Sequence, residues 1–119
     1  MQVTGAIFDC DGTLVDSMCV WHNVFGAVLP KYGKTIDSDI FDRVEAVSLI
    51  GGCQICVDEL DLPITAEALY EEFCAYVTDQ YQHHVSIIPG AKEFLQELHD
   101  AGIPLAVASS TPVREVRAA

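Results

Sequence analysis

Apolar residues follow two kinds of spacing along the chain. Short apolar runs at Val3–Phe8 and Leu105–Ala108 are typical of strands in a sheet that is covered on both faces. Between these runs, apolar residues recur at helical spacing in residues 20–32, 40–47, 55–60 and 69–81. A further helix is predicted over Ala91–Ala101, with Gly102 directly after its end.

Helix-breaking and helix-capping residues divide the middle of the chain. Pro30 should end or kink the first helix near Leu29, because proline lacks the N–H group that a helix needs. Asp37 or Ser38 should cap the second helix, and Thr65 the fourth. The Gly51-Gly52 pair is expected to interrupt the chain before a short apolar helix at 55–60.

The order of these elements predicts an α/β fold. A strand, a helix and a second buried-type strand favour a parallel pair. The helices of residues 16–85 are too many for one crossover connection and indicate an inserted helical module. The predicted domains are therefore 1–15 with 86–119, and 16–85.

Composition narrows the possible classes of function. The 119 residues are half apolar, which is enough for a packed core. The formal net charge of −12 disfavours nucleic acid and anionic membrane surfaces as partners. No apolar run approaches the roughly 20 residues of a membrane helix, and the first residues show no signal-peptide pattern.

Cysteine usage indicates a reducing compartment, which predicts a cytoplasmic protein. The five cysteines form an odd number without the spacing of a disulfide framework. Cys53 and Cys56 form a single C-x-x-C sequence, and no second pair completes a zinc site. We expect these two residues to be small apolar side chains on a helix.

Polar residues that could carry chemistry follow each predicted strand. The first strand leads into Asp9-Cys10-Asp11-Gly12-Thr13, and the second into Ser109-Ser110-Thr111, where Thr111 should cap a helix that begins at Pro112. Ligands of open parallel sheets bind beyond the carboxyl ends of the strands. Hydroxyl and N–H groups at a helix N-terminus suit an anion.

Asp9 and Asp11 are spaced so that they can face one ligand. Residues two apart in an extended chain point to the same side, and two close carboxylates resist double ionisation. One can then act as an acid while the other acts as a nucleophile, and both could help to bind Mg²⁺. The alternative is an acidic turn that caps a helix, which is the role expected of Asp16 and Ser17.

Three segments resemble the haloacid-dehalogenase-like hydrolase superfamily. "FDCDGTLVDS" is similar to its first motif, D-x-D-G-T-[LV], and "PLAVASST" resembles its second motif. "PGAKEFLQELHDAGIP" resembles the segment that leads into the second motif, and the helical insert resembles the cap of the β-phosphoglucomutase-like and phosphatase branch. The resemblance implies a partial Rossmann-like core, limited to its first two strands, with an inserted helical cap.

The resemblance also implies a role for each matching residue. Asp9 would be the nucleophile that forms an aspartyl-phosphate, and Asp11 the general acid and then the base. The Asp9 carboxylate and the Asp11 backbone carbonyl would hold Mg²⁺. Ser109, Ser110 and Gly12 would bind the phosphoryl group. The expected function is a Mg²⁺-dependent phosphatase acting on a small phosphorylated metabolite. A sugar-phosphate mutase, a non-catalytic fragment and a phosphate-binding module remain alternatives.

Two departures from the family pattern qualify this expectation. The third-motif lysine and the fourth-motif acids have no counterpart by position, since Lys31 and Lys92 both precede the second strand. The residues after Gly51 include no Lys or Arg up to Asp58, whereas the mutases carry basic residues there. We therefore expect an N-terminal half that hydrolyses rather than isomerises its substrate, with at most marginal activity alone. The pattern leaves the substrate and the oligomeric state open.

Overall fold

Two short parallel strands form the sheet of the chain, whose computed structural model describes residues 2–119. Strand β1 is Ala6–Phe8 and strand β2 is Leu105–Val107, with Ala6 opposite Leu105 and Phe8 opposite Val107. The predicted parallel pairing and the α/β class are therefore confirmed. Both strands are shorter than the apolar runs that predicted them.

Six α-helices and one 3₁₀-helix make up most of the remaining chain. Their bounds are α1 Met18–Val28, a 3₁₀-helix Leu29–Tyr32, α2 Ser38–Glu45, α3 Leu49–Leu60, α4 Ala66–His83, α5 Ala91–Asp100 and α6 Val113–Ala118. Within residues 2–119, no helix is both long enough and apolar enough to cross a bilayer.

Most of the predicted helix boundaries are confirmed. The chain changes from α-helix to 3₁₀-helix at Leu29, immediately before Pro30. The Asp37 carboxylate accepts a hydrogen bond from the Ile40 N–H at 2.9 Å, and the Thr65 hydroxyl accepts one from the Ala68 N–H at 3.2 Å. These side chains satisfy donors that the first turn of a helix leaves without a partner.

The prediction that Gly51-Gly52 interrupts the chain is wrong. Helix α3 begins at Leu49, behind the cap of Ser48, and continues through both glycines. A Cβ atom on Gly52 would lie 2.6 Å from Cγ1 of Val44, so only glycine fits where α3 approaches this side chain. Close packing against Val44 explains the glycine here, although glycine is intrinsically unfavourable inside a helix.

The predicted cap of the last helix is also wrong. Helix α6 has Pro112 as its N-cap residue and no side-chain hydrogen bond at that cap. The Thr111 hydroxyl donates instead to Asp11 Oδ2 at 2.6 Å. A hydrogen bond to a carboxylate is stronger than one between neutral groups, which favours this partner over the helix end.

The chain divides into two compact units. Residues 2–21 and 78–119 form one, here called the core unit, and His22–Val77 form the other, here called the helical unit. The predicted domain boundaries, at 15/16 and 85/86, remain a prediction, and Met1 of the first predicted domain lies outside the described residues.

The helical unit has a dense apolar centre. The rings of Phe25 and Phe73 meet edge to face with centroids 5.2 Å apart. Phe73, Cys53 and Cys56 are completely buried. The two cysteines lie on α3 as free thiols, which confirms that they are small apolar side chains on a helix.

Candidate active site

A tight turn at the carboxyl end of β1 places Asp11. The N–H groups of Thr13 and Leu14 both donate to the Cys10 carbonyl, at 3.2 and 2.9 Å. Gly12 has a φ of +74°, in the left-handed region, and its N–H donates to the Val15 carbonyl at 2.9 Å. Glycine adopts this conformation without strain, so the D-x-D-G sequence fixes the turn.

Four side chains donate hydrogen bonds to the Asp11 carboxylate. Ser17 Oγ, Tyr81 Oη and Trp21 Nε1 donate to Oδ1, the last at 3.3 Å. Thr111 Oγ1 donates to Oδ2 at 2.6 Å. These five residues, here called the Asp11 network, all belong to the core unit. The four donors lie 6, 10, 70 and 100 positions after Asp11, so two of them are brought in from distant segments.

Hydrogen bonds within the Asp11 network stabilise the charged form of the Asp11 carboxylate. Burial raises the pKa of Asp11, but the hydrogen bonds from Ser17, Thr111, Tyr81 and Trp21 lower it by more in total. The net pKa lies below the usual value of 3.8, because donated hydrogen bonds favour the charged form. Asp11 is therefore an ionised acceptor at neutral pH in this arrangement.

The end of β2 supplies the neighbouring part of the site. Ser109 Oγ accepts a hydrogen bond from the Thr111 N–H at 3.1 Å, and Ser110 is exposed. Because Thr111 also bonds to Asp11, the polar segments behind the two strands meet through one side chain. The assignment of phosphate-binding roles to Ser109, Ser110 and Gly12 stays a prediction.

Asp9 stands apart from the Asp11 network. Its side chain is exposed, and Oδ1 accepts a hydrogen bond from the Cys10 N–H at 2.8 Å. The Cys10 side chain is buried, and burial, followed by the charges of Asp11 and Asp9, raises the pKa of its thiol. Asp9 is thus the exposed carboxylate at this strand end, and its role as nucleophile stays a prediction.

The residues present fit a magnesium ion in one specific way. Among residues 2–119, no three His, Cys, Asp or Glu side chains cluster as a metal cage. Mg²⁺ typically takes one or two protein carboxylates and completes its shell with water and substrate phosphate. Asp9 offers an exposed carboxylate, whereas the Asp11 carboxylate already accepts four hydrogen bonds. Of the two carboxylates, only that of Asp9 is open to an ion, and the assignment of Mg²⁺ to Asp9 and Asp11 stays a prediction.

Sequence reasoning missed four members of the Asp11 network. Local sequence rules predict helix caps at Ser17 and Thr111, and periodicity predicts that Trp21 and Tyr81 lie on apolar helix faces. Buried tyrosine O–H and tryptophan N–H groups usually find a polar partner. That rule, applied to Trp21 and Tyr81, is the signal that could have pointed to a nearby acceptor.

A comparison with protein families assigns the chain to a known family. Residues 6–118 match the model of the family described as "Haloacid dehalogenase-like hydrolase". The match covers nearly the whole chain, so the protein belongs to this family, as its sequence motifs predicted.

Individual relatives support the same placement. The chain is 30% identical over 115 residues to "(DL)-glycerol-3-phosphatase 1, mitochondrial" of Arabidopsis thaliana, covering 95% of this chain and 38% of that protein. It is 28% identical to "Phosphorylated carbohydrates phosphatase" of Thermotoga maritima, covering 92% and 50%. The chain therefore spans half or less of the length of these two curated relatives.

A solved structure confirms the fold. The crystal structure of a candidate β-phosphoglucomutase from Thermotoga maritima superposes with a TM-score of 0.72 and 27% identity. The superposition covers 94% of this chain and 54% of that one. The fold of this chain therefore matches about half of a longer solved structure.

Proposed function

We propose that the protein is a phosphatase that hydrolyses a small phosphate monoester through an aspartyl-phosphate on Asp9, with Mg²⁺ as cofactor. One observation carries the proposal: the hydrogen bond between Thr111 and Asp11 joins the polar ends of β1 and β2, 100 positions apart. In open parallel sheets this edge is where ligands bind. The phosphatase names of two curated relatives support the same reaction class.

The exposure of Asp9 supports its role in the first step. Its exposed carboxylate would attack phosphorus, so that a bond forms from Asp9 oxygen to phosphorus as the ester P–O bond breaks. The leaving alcohol takes a proton, and water then attacks the aspartyl-phosphate and releases inorganic phosphate. Mg²⁺, held by the Asp9 carboxylate and the Asp11 carbonyl, would neutralise phosphate charge.

Asp11 would supply that proton and later accept one from water. Its network prepares an ionised carboxylate of fixed orientation, which suits the base step directly. The acid step requires a proton on Asp11 when substrate is bound. A phosphate dianion beside an ionised carboxylate raises the carboxyl pKa through like-charge repulsion, which would provide that proton.

The end of β2 would hold the phosphoryl group. Ser109 offers a hydroxyl and the exposed Ser110 a backbone N–H, both just before α6. Neutral donors of this kind can bind an anion in a chain whose net charge is −12. The odd number of five cysteines, without the spacing of a disulfide framework, also supports a reducing, cytoplasmic location.

The mutase alternative finds less support in the helical unit. The residues after Gly51 belong to helix α3, and Cys53 and Cys56 among them are buried. No Lys or Arg lies between Gly51 and Asp58 to bind a second phosphate. We therefore propose hydrolysis; efficient isomerisation of β-glucose 1-phosphate would instead favour a mutase.

The test is Mg²⁺-dependent turnover of 4-nitrophenyl phosphate and glycerol phosphate by the complete gene product. Asp9→Asn should reduce both rates at least about 1,000-fold, because an amide cannot form the phosphoenzyme. Asp11→Asn should slow glycerol phosphate more, since its poor leaving group needs the proton. Asp16→Asn, in an exposed position of the same segment, is the matched control.

Comparable turnover by Asp9→Asn would contradict the nucleophile assignment. Equal losses for both esters in Asp11→Asn would remove its acid role. The residues 1–119 alone, assayed beside the complete product, should show at most marginal turnover, and full activity there would show that the two-strand core suffices.

A further inference from the structure

Trp21 and Tyr81 form a closed hydrogen-bonded triangle with Asp11. Trp21 Nε1 lies 2.9 Å from Tyr81 Oη and 3.3 Å from Asp11 Oδ1, and Tyr81 Oη bonds to the same Oδ1. Tyr81 is only 3% exposed. The triangle is therefore a buried polar arrangement, and in the steps proposed above neither ring does more than donate a hydrogen bond within the Asp11 network.

The donors permit only one arrangement of protons. An indole N–H can only donate, so Tyr81 Oη is the acceptor of the bond from Trp21. A phenol hydroxyl carries a single proton, which must then point to Asp11 Oδ1. Ser17 donates to the same oxygen, and the single indole proton is shared between Tyr81 Oη at 2.9 Å and Oδ1 at 3.3 Å, so Oδ1 acts as the acceptor of this cluster.

The two oxygens of Asp11 therefore differ. Oδ1 is enclosed by donors from α1, from α4 and from the segment before α1. Oδ2 accepts from Thr111, in the segment that follows β2 and contains Ser109 and Ser110. Oδ2 thus lies on the side of the proposed phosphate-binding segment.

We propose that Trp21 and Tyr81 are positioning residues that hold Oδ1 of Asp11 as an acceptor and so keep Oδ2 turned towards the segment of Ser109 and Ser110. The inference rests on the proposed function and adds an assignment of roles to the two oxygens. Neither ring needs to touch substrate, because the effect is transmitted through Asp11. If the Asp11 carboxylate rotated freely, either oxygen could face the substrate, and the alignment of Asp11 with the leaving group would be lost.

A first experiment tests the triangle without any assay of activity. Trp21 is the only tryptophan of the 119-residue chain, so its indole N–H gives a single NMR resonance. Tyr81→Phe keeps the ring and removes the hydroxyl, and should shift this resonance upfield, as should Asp11→Asn. Tyr76→Phe, on the same helix but outside the network, should leave it unchanged. An unshifted resonance in Tyr81→Phe would overturn the proposal.

A second experiment tests the roles of the two oxygens in the complete gene product. Tyr81→Phe should lower kcat for glycerol phosphate about 10- to 100-fold, with KM unchanged, and affect 4-nitrophenyl phosphate much less. Thr111→Val should also change the ratio of kcat for glycerol phosphate to kcat for 4-nitrophenyl phosphate, and it should leave the indole resonance unchanged. Equal loss for both esters would indicate a merely structural role and overturn the proposal.

The two experiments separate the inference from the proposed function. If the unsubstituted protein hydrolyses neither ester, the proposed function is wrong and the assignment of Oδ2 falls with it. The indole resonance would still decide whether Tyr81 and Trp21 hold Asp11. If hydrolysis occurs but Tyr81→Phe leaves both kcat values unchanged, the proposed function stands and the positioning role is wrong.

Discussion

The two units of the chain bury their apolar side chains to very different degrees. In the helical unit, Val24, Leu69 and Phe73 are completely buried. In the core unit, Ile7 is 74% exposed and Phe94 50%. Amphipathic helices can enclose a centre by packing on one another, whereas two strands are too few to cover the faces of a parallel sheet.

The polar contacts around Asp11 are among the best enclosed parts of the core unit. Ser17 and Tyr81 are nearly inaccessible, while Leu105 and Val107 of the sheet line an open groove of about 420 Å³. Exposed apolar surface of this kind usually marks an interaction face. The helical unit is therefore stabilised by its own apolar core, while hydrogen bonds to Asp11 order the part of the core unit around this residue.

The largest expected difference lies in the response to loss of a phenyl ring. Phe73→Ala should destabilise the helical unit by about 3–5 kcal/mol, because it leaves a cavity in a closed core. Phe94→Ala should cost about 1 kcal/mol or less, since half of that side chain is already in water. Urea unfolding followed by circular dichroism measures both, and similar losses would break the comparison.

A smaller difference is expected from two helical glycines. Gly52→Ala should destabilise by about 1–3 kcal/mol, since the new Cβ would lie 2.6 Å from Val44 Cγ1. Gly26→Ala, in helix α1 with open space around it, should stabilise by about 0.5–1 kcal/mol through helix propensity. Thermal unfolding of the pair gives the signs, and a stabilising Gly52→Ala would show that α3 and Val44 pack loosely.

The smallest effect concerns pH and the buried thiols of α3. Burial raises the pKa of Cys53 to about 12 and that of Cys56 to about 11, above the usual value of 9.0. Above pH 9 the unfolded chain loses these protons first, so the free energy of unfolding should fall as pH rises towards the folded pKa values. Below that pH the two thiols contribute no pH dependence.

Urea midpoints between about pH 8 and about pH 10 check this expectation. The double variant Cys53→Ala, Cys56→Ala should show a shallower decline than the unsubstituted chain, since the linked ionisation has been removed. A decline of the same steepness would assign the pH dependence to other groups.

Sequence reasoning succeeded where one local rule decided the outcome. Pro30, Asp37 and Thr65 act within one helical turn, and each boundary that they predicted is observed. It failed where a distant partner decided. Helix α3 contains Gly52 because a Cβ atom there would clash with Val44. The Thr111 hydroxyl does not cap α6, because it donates to Asp11, which lies 100 positions earlier in the chain.

The candidate site shows the same division. The residues Asp9, Asp11 and Gly12 could be chosen from the motif, since the turn that places Asp11 is local. Tyr81 and Trp21 could not, because apolar periodicity describes their rings and says nothing of the polar tip of each. The donors around Asp11 become visible only when the fold joins α1, α4 and the end of β2.

The sequence separations within the Asp11 network have a consequence for folding. Tyr81 and Thr111 lie 70 and 100 positions after Asp11, so both bonds wait for large loops to close. Such closure costs entropy before any contact is gained, and long-range contacts slow folding. The helical unit can form from nearer contacts, and the carboxylate would acquire its donors late. Folding of the core unit and assembly of the site are then one event. Trp21 belongs to the Asp11 network, so its indole should report when that event occurs.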